Sequence, residues 1–95
     1  MQLAEPLRPT LAVLQRTYPD GVPRQDYLAV LVVLGDLLAE ENLALVVAEF
    51  TDDETVVVAN DAAAAQSVNP PSNQDVTRVR AALEAHGLAE LYEEP

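Results

Sequence analysis

Tyr27-Leu28-Ala29-Val30-Leu31-Val32-Val33-Leu34-Gly35-Asp36-Leu37-Leu38-Ala39 sits near the first third of the chain and is its most apolar segment. Tyr27, Leu31, Leu34 and Leu38 recur at steps of 4, 3 and 4, one stripe of an α-helix. Val30, Val33 and Leu37 form a second stripe, so the helix is apolar around most of its circumference and belongs at the centre of a core. The unbroken apolar run, Tyr27 to Leu34, is 8 residues, and counting Gly35 and Asp36 inside Tyr27 to Ala39 extends it to 13. Both fall short of the roughly 18 residues needed to cross a membrane. Gly35 either admits a closely packed neighbour or marks strain near the helix end.

Upstream, Tyr18-Pro19-Asp20-Gly21-Val22-Pro23 reads as a tight turn. Pro19 presets its second position and Gly21 can take a positive φ. Pro23 then suits the first position of the central helix, with Asp26 near the positive end of the helix dipole. Before the turn, Leu7, Leu11, Leu14 and Tyr18 make the stripe of a first helix at about 6–17, with Pro6 and Pro9 confined to its first turn.

Downstream, Glu40 and Glu41 open a third helix at about 40–50, with Leu43, Val46, Val47 and Phe50 at helical spacing. Thr51-Asp52-Asp53-Glu54 fits a capping box, which predicts a fourth helix over about 53–67. The β-branched run Thr55 to Ala59 argues for a strand there, and Ala62 to Ala65 argues for helix. After Asn69-Pro70-Pro71, Ser72 or Asn73 caps a fifth helix that carries Val76, Val79 and Leu83 on one face and stops at Gly87. The pattern predicts an all-α bundle of about five helices with little or no sheet. The whole chain, 1–95, is expected to form a single helical domain with its core at about 7–88. The first few residues and 90–95 are expected to fray.

Two of these segments carry a resemblance. Tyr18-Pro19-x-Gly21-Val22-Pro23-x-x-Asp26-Tyr27, and later Asp75-Val76-x-Arg78-Val79-x-x-x-Leu83-x-Ala85-x-Gly87, together resemble an actinobacterial family of small proteins known as domain of unknown function 3349. The resemblance spans roughly residues 7–88, and between the motifs it rests only on a helical and acidic pattern. After the glycine the family usually reads Trp-Pro-Leu, where this chain has Leu88-Ala89-Glu90. It implies a compact, mainly helical domain and carries over no catalytic residue.

The formal net charge of -11 comes from 16 Asp and Glu against 5 Arg, with no Lys. Basic side chains supply most non-specific affinity for nucleic acid, so DNA, RNA and anionic lipid surfaces are expected to repel the chain. A basic protein surface is the partner that this balance prefers, and acidity also serves solubility alone. The chain has no cysteine, which removes disulfides, thiolate nucleophiles and cysteine zinc sites and fits a reducing compartment. No basic segment followed by an apolar one marks the N-terminus as an export signal, so a cytoplasmic location is expected.

Residue chemistry argues against the familiar sites. His86 is the only histidine and sits beside the glycine stop, where a helix C-terminus favours partial positive charge. Ser67 and Ser72 lack the setting of a nucleophile. Asp52, Asp53, Glu54 and Asp61 lack the alternation and bend glycine of a calcium loop. No phosphate cradle is present, so neither cofactor nor metal is expected. Asp75 with Arg78, and Arg80 with Glu84, have the spacing of solvated helix-surface pairs.

The reading that remains is a non-enzymatic accessory or protein-interaction module. Its candidate partner-binding residues are Glu40, Glu41, Asp52 and Asp53, which form one acidic face if the third and fourth helices start on nearby surfaces. Tyr18 and Tyr27 bracket a rigid turn that is either a structural corner or a recognition loop, their rings packed on each other or on the first helix and their hydroxyls reaching water or backbone. A small enzyme or ligand-binding protein using acidic residues, and a DNA-mimicking inhibitor of a nucleic-acid-binding protein, are the alternatives.

Overall fold

A computed structural model describes residues 5–92. Among these there are six α-helices, a short 3-10 turn at Glu5–Leu7 and no strand. The helices are α1 (Arg8–Thr17), α2 (Arg24–Gly35), α3 (Glu40–Thr51), α4 (Thr55–Ser67), α5 (Asn73–Ala85) and α6 (Leu88–Tyr92).

The apolar helix is the hub. Ala29, Val30, Leu31, Val33 and Leu34 of α2 are all buried, and α2 touches α3, α4 and α5. Each fully buried leucine contributes on the order of 1.5 to 3 kcal/mol of transfer free energy, so Leu31 and Leu34 weigh heavily in the fold. Leu37, expected on a helical stripe, lies past the end of α2 at Gly35 and is 40% exposed. Gly35 marks a close approach, since a Cβ there would stand 2.9 Å from Nε2 of Gln66 on α4.

The turn before α2 forms as its sequence demands. The Gly21 N–H donates to the Tyr18 carbonyl at 3.0 Å, with Pro19 in the second turn position and Gly21 at φ +95°. Pro23 stands one position earlier than expected, as the N-cap and not the first helical residue. Its φ of -62° suits either role, and an extended ψ of 145° aims its carbonyl at the Asp26 and Tyr27 amides.

The capping box of α4 does not form. Thr51 is still the last residue of α3, and its hydroxyl donates to the Val47 carbonyl at 2.8 Å. The reversal consumes the next three residues: Asp52 is left-handed at φ 60°, its N–H donates to the Ala48 carbonyl, and Glu54 becomes the N-cap of α4 without a side-chain bond. Aspartate tolerates this conformation better than most side chains. Thr55 to Ala59 is helical, with Val58, Ala62 and Ala65 buried at helical spacing. Burial of Val58 against the core overrides the strand propensity of its neighbours, for which no partner strand exists among the described residues.

Ser72 caps α5, its hydroxyl accepting from the Asp75 amide at 3.1 Å. Gly87 ends the helix region at φ +103°, and Arg16 of α1 reaches across to donate to the His86 carbonyl at 2.8 Å. The chain then turns back into helix where fraying was expected from Glu90. Leu88 is buried, and the Tyr92 and Thr10 hydroxyls share a hydrogen bond of 2.7 Å that fastens α6 to α1. The expectations for the first four and last three residues lie outside the described residues. The basic side chains pair differently from sequence spacing alone. Arg78 meets Asp75 at 2.8 Å as expected and also Asp26 of α2, whereas Arg80 passes over Glu84 to meet Asp36 at 3.1 Å.

Candidate interaction surface on the third and fourth helices

The acidic residues occupy two places. Glu40 and Glu41 are exposed in the first turn of α3, where the helix dipole favours their charge. Asp52 and Asp53 are exposed in the reversal beyond the last turn of the same helix. At 1.5 Å of rise per residue, Glu41 and Asp52 are about 16 Å apart along the axis, so the four side chains are not one compact patch.

Beside Glu40 and Glu41 lies an open groove of about 450 Å³ lined by these two and by Ala44, Leu45, Thr55, Val56 and Ala59, so that it reaches the start of α4 next to the reversal. Leu45 and Ala59 are partly buried in its floor, and Val56 is 59% exposed. Val57, the next residue of α4, is 44% exposed. The groove has an apolar middle, with Glu40 and Glu41 on its lining and the Asp52–Glu54 reversal directly preceding Thr55. Among the described residues, none of Glu40, Glu41, Asp52, Asp53 and Glu54 takes part in an ion pair. Val56 and Val57 were legible as a β-branched run, but their exposure was not, because nothing in the sequence says which face of α4 meets the core.

Tyr18 and Tyr27 belong elsewhere. Both rings pack against the core cluster. The Tyr27 hydroxyl, expected to reach water or backbone, donates to a side chain, Asp61 Oδ2 of α4, at 2.8 Å. Burial, the bond to Asp61 and the negative charge of Asp61 and Asp53 together hold this phenol well above its ordinary range. A smaller cleft of about 280 Å³ gathers Val22, Arg24, Tyr27, Thr51, Asp53 and Asp61, so Asp53 faces Tyr27 as well as solvent. The Tyr18 hydroxyl is buried without a hydrogen-bond partner among the described residues. Burial first, and the charge of Asp26 second, push it up to about 12. Both aromatic rings of the turn are thus directed towards the core, while Pro19, Asp20 and Gly21 between them are exposed.

No three carboxylate or imidazole side chains gather as a metal-binding group among the described residues, and none of the helices there is long and apolar enough to cross a membrane. A sequence model for a family of proteins of unknown function, DUF3349, matches residues 6–90, nearly the whole chain. The chain belongs to the DUF3349 family. Residues 88–90, where its sequence departs from the family's usual ending, lie in α6 and inside the match. No curated protein and no solved structure matches this DUF3349 chain.

Proposed function

We propose that this DUF3349 protein is a non-enzymatic interaction module that meets a basic protein surface with the exposed sides of α3 and α4. The observation that carries the reading is the set of five carboxylates, Glu40, Glu41, Asp52, Asp53 and Glu54, free of ion pairs among the described residues and flanking exposed Val56 and Val57. Charges of one sign left without local partners raise the rate of encounter with an oppositely charged surface, and neighbouring apolar side chains supply contact area once the two have met. The same balance, 16 acidic residues against 5 arginines, opposes phosphate-rich partners such as nucleic acid or anionic lipid. A cytoplasmic setting goes with the reading, in keeping with a chain that has no cysteine.

General acid–base catalysis is favoured by a group that titrates near the working pH in a cleft. The strongly displaced groups, Tyr18 and Tyr27, are moved away from neutrality. Affinity capture of the tagged protein from its native lysate, at low and high salt, tests the proposal. The expected result is a basic protein that is lost at high salt and by a variant carrying Glu40→Gln, Glu41→Gln, Asp52→Asn and Asp53→Asn. A partner retained unchanged under both conditions refutes the acidic face and turns attention to an apolar interface.

A further inference from the structure

We infer that the α3–α4 groove seats an amphipathic helix of about three turns, contributed by a partner protein and carrying a basic residue at each end. The inference rests on the proposed interaction role and specifies what is recognised. Its first support is the shape and lining of the groove. Ala44 and Ala59 keep the floor shallow where the two helices meet, and Leu45 and Val56 stand beside them. Small residues between two helices let a third helix approach to the usual 8 to 10 Å between axes and interleave its side chains.

The second support is charge at both ends. Glu40 and Glu41 stand at one end of α3, and Asp52, Asp53 and Glu54 at the other. The separation of about 16 Å corresponds to about 11 residues of a docked helix at 1.5 Å each. A ligand with Lys or Arg at its two ends and apolar side chains at i, i+4 and i+7 between them satisfies both features at once.

The third support is the hydrogen bonding of the floor. Every element beside the groove is α-helix, so no strand edge faces it to pair with an extended peptide, and the amides there that lack an intrahelical partner are confined to the first turns of α3 and α4. A strand laid here would leave its own backbone unpaired over apolar side chains, whereas a helix brings its backbone already satisfied. A second copy of this chain is a poor occupant. It brings a net charge of -11 against an acidic rim, and three of its five arginines, Arg16, Arg78 and Arg80, are already engaged with a carbonyl or carboxylates.

The test uses the full chain and two synthetic fluorescent peptides of one composition. One carries apolar residues at i, i+4 and i+7 with arginine at both ends, and the other has the same residues scrambled. Anisotropy titrations near 0.15 M salt, where surface charges are screened beyond about 8 Å, should show the ordered peptide binding at least tenfold more tightly than the scrambled one. Val56→Ser should weaken the ordered peptide at least tenfold, and Glu40→Gln with Glu41→Gln should weaken it and flatten its salt dependence. Leu37→Ser, an equally simple loss of an exposed apolar side chain, should leave it unchanged. Circular dichroism of each variant checks that the helices remain. Equal binding of the two peptides, or no effect of Val56→Ser while the glutamate variant loses affinity, overturns the helix-in-groove inference and leaves the acidic face standing. No binding by either peptide overturns both. Concentration-dependent dimerisation in sedimentation that Val56→Ser abolishes would assign the groove to a second copy and overturn the inference as well.

Discussion

Gly21→Ala should destabilise the protein by about 1 to 2 kcal/mol through the backbone alone. A Cβ built on Gly21 meets nothing within 4 Å, so no steric clash contributes. What opposes the side chain is φ of +95°, beyond the narrow left-handed region open to ordinary residues, which costs roughly 1 to 2 kcal/mol or more for alanine. Alanine also restricts the unfolded chain, which offsets some of that loss by a few tenths of a kcal/mol. For a domain of this length each kcal/mol moves the melting temperature by about 4 to 8 °C. With a urea m-value near 1 kcal/mol/M, the midpoint should fall by about 1 M or more.

Gly35→Ala is the matched control. Gly35 has no positive φ, and the atom that its Cβ would meet at 2.9 Å is the far end of the Gln66 side chain, which can swing away. Gly35→Ala should therefore lie within about 0.5 kcal/mol of the parent, since the gain in helix propensity roughly offsets the displaced amide. Urea denaturation followed by circular dichroism measures both. A Gly21→Ala midpoint equal to the parent's would show that the turn relaxes to negative φ, and the rigid corner between α1 and α2 would have to be abandoned. An equal loss from both variants would place the sensitivity in packing.

Tyr92→Phe should cost about 1 to 3 kcal/mol in thermal melts, because it leaves the hydroxyl of Thr10, a residue only 2% exposed, without its partner. Tyr18→Phe should be neutral or stabilising by up to about 1 kcal/mol in urea melts, since among the described residues the buried hydroxyl that it removes meets no hydrogen-bond partner and has the charge of Asp26 nearby. Stability should decline from about pH 10 towards pH 12. There the unfolded chain loses the Tyr18 proton while the folded chain retains it up to about 12, and Tyr27, raised in the same direction, adds to the effect. The double variant Tyr18→Phe/Tyr27→Phe should flatten that decline in pH-dependent melts.

Features written in local chemistry were legible in the sequence. The 4-3-4 spacing of Tyr27, Leu31, Leu34 and Leu38 located the central helix, although Gly35 ends it before Leu38. Pro19 and Gly21 announced the turn, and Ser72 the start of α5. The departures arise where two local signals compete for one residue. Thr51 can cap the helix after it or bond back into the helix before it. The bond to Val47 wins because α3 runs one residue further than its apolar stripe requires. The short α6 has a similar origin, because its stability comes from Leu88 in the core and Tyr92 on Thr10, contacts with residues far away in the chain.

The acidic surface illustrates the same limit at the level of function. First-turn carboxylates on consecutive helices suggested one patch, but two consecutive helices in a tight hairpin start at opposite ends of it, because the first must run its full length before the second begins. Glu40 and Glu41 therefore stand about 16 to 18 Å from Asp52 along α3. Separation does not weaken the case for a partner; it changes the partner's shape. A compact acidic patch asks only for a cluster of basic side chains, which many flexible tails provide at small contact area. Two acidic ends joined by an apolar groove ask for basic groups at a set distance and apolar side chains between them. A rigid helix satisfies that requirement at lower entropic cost than a flexible tail.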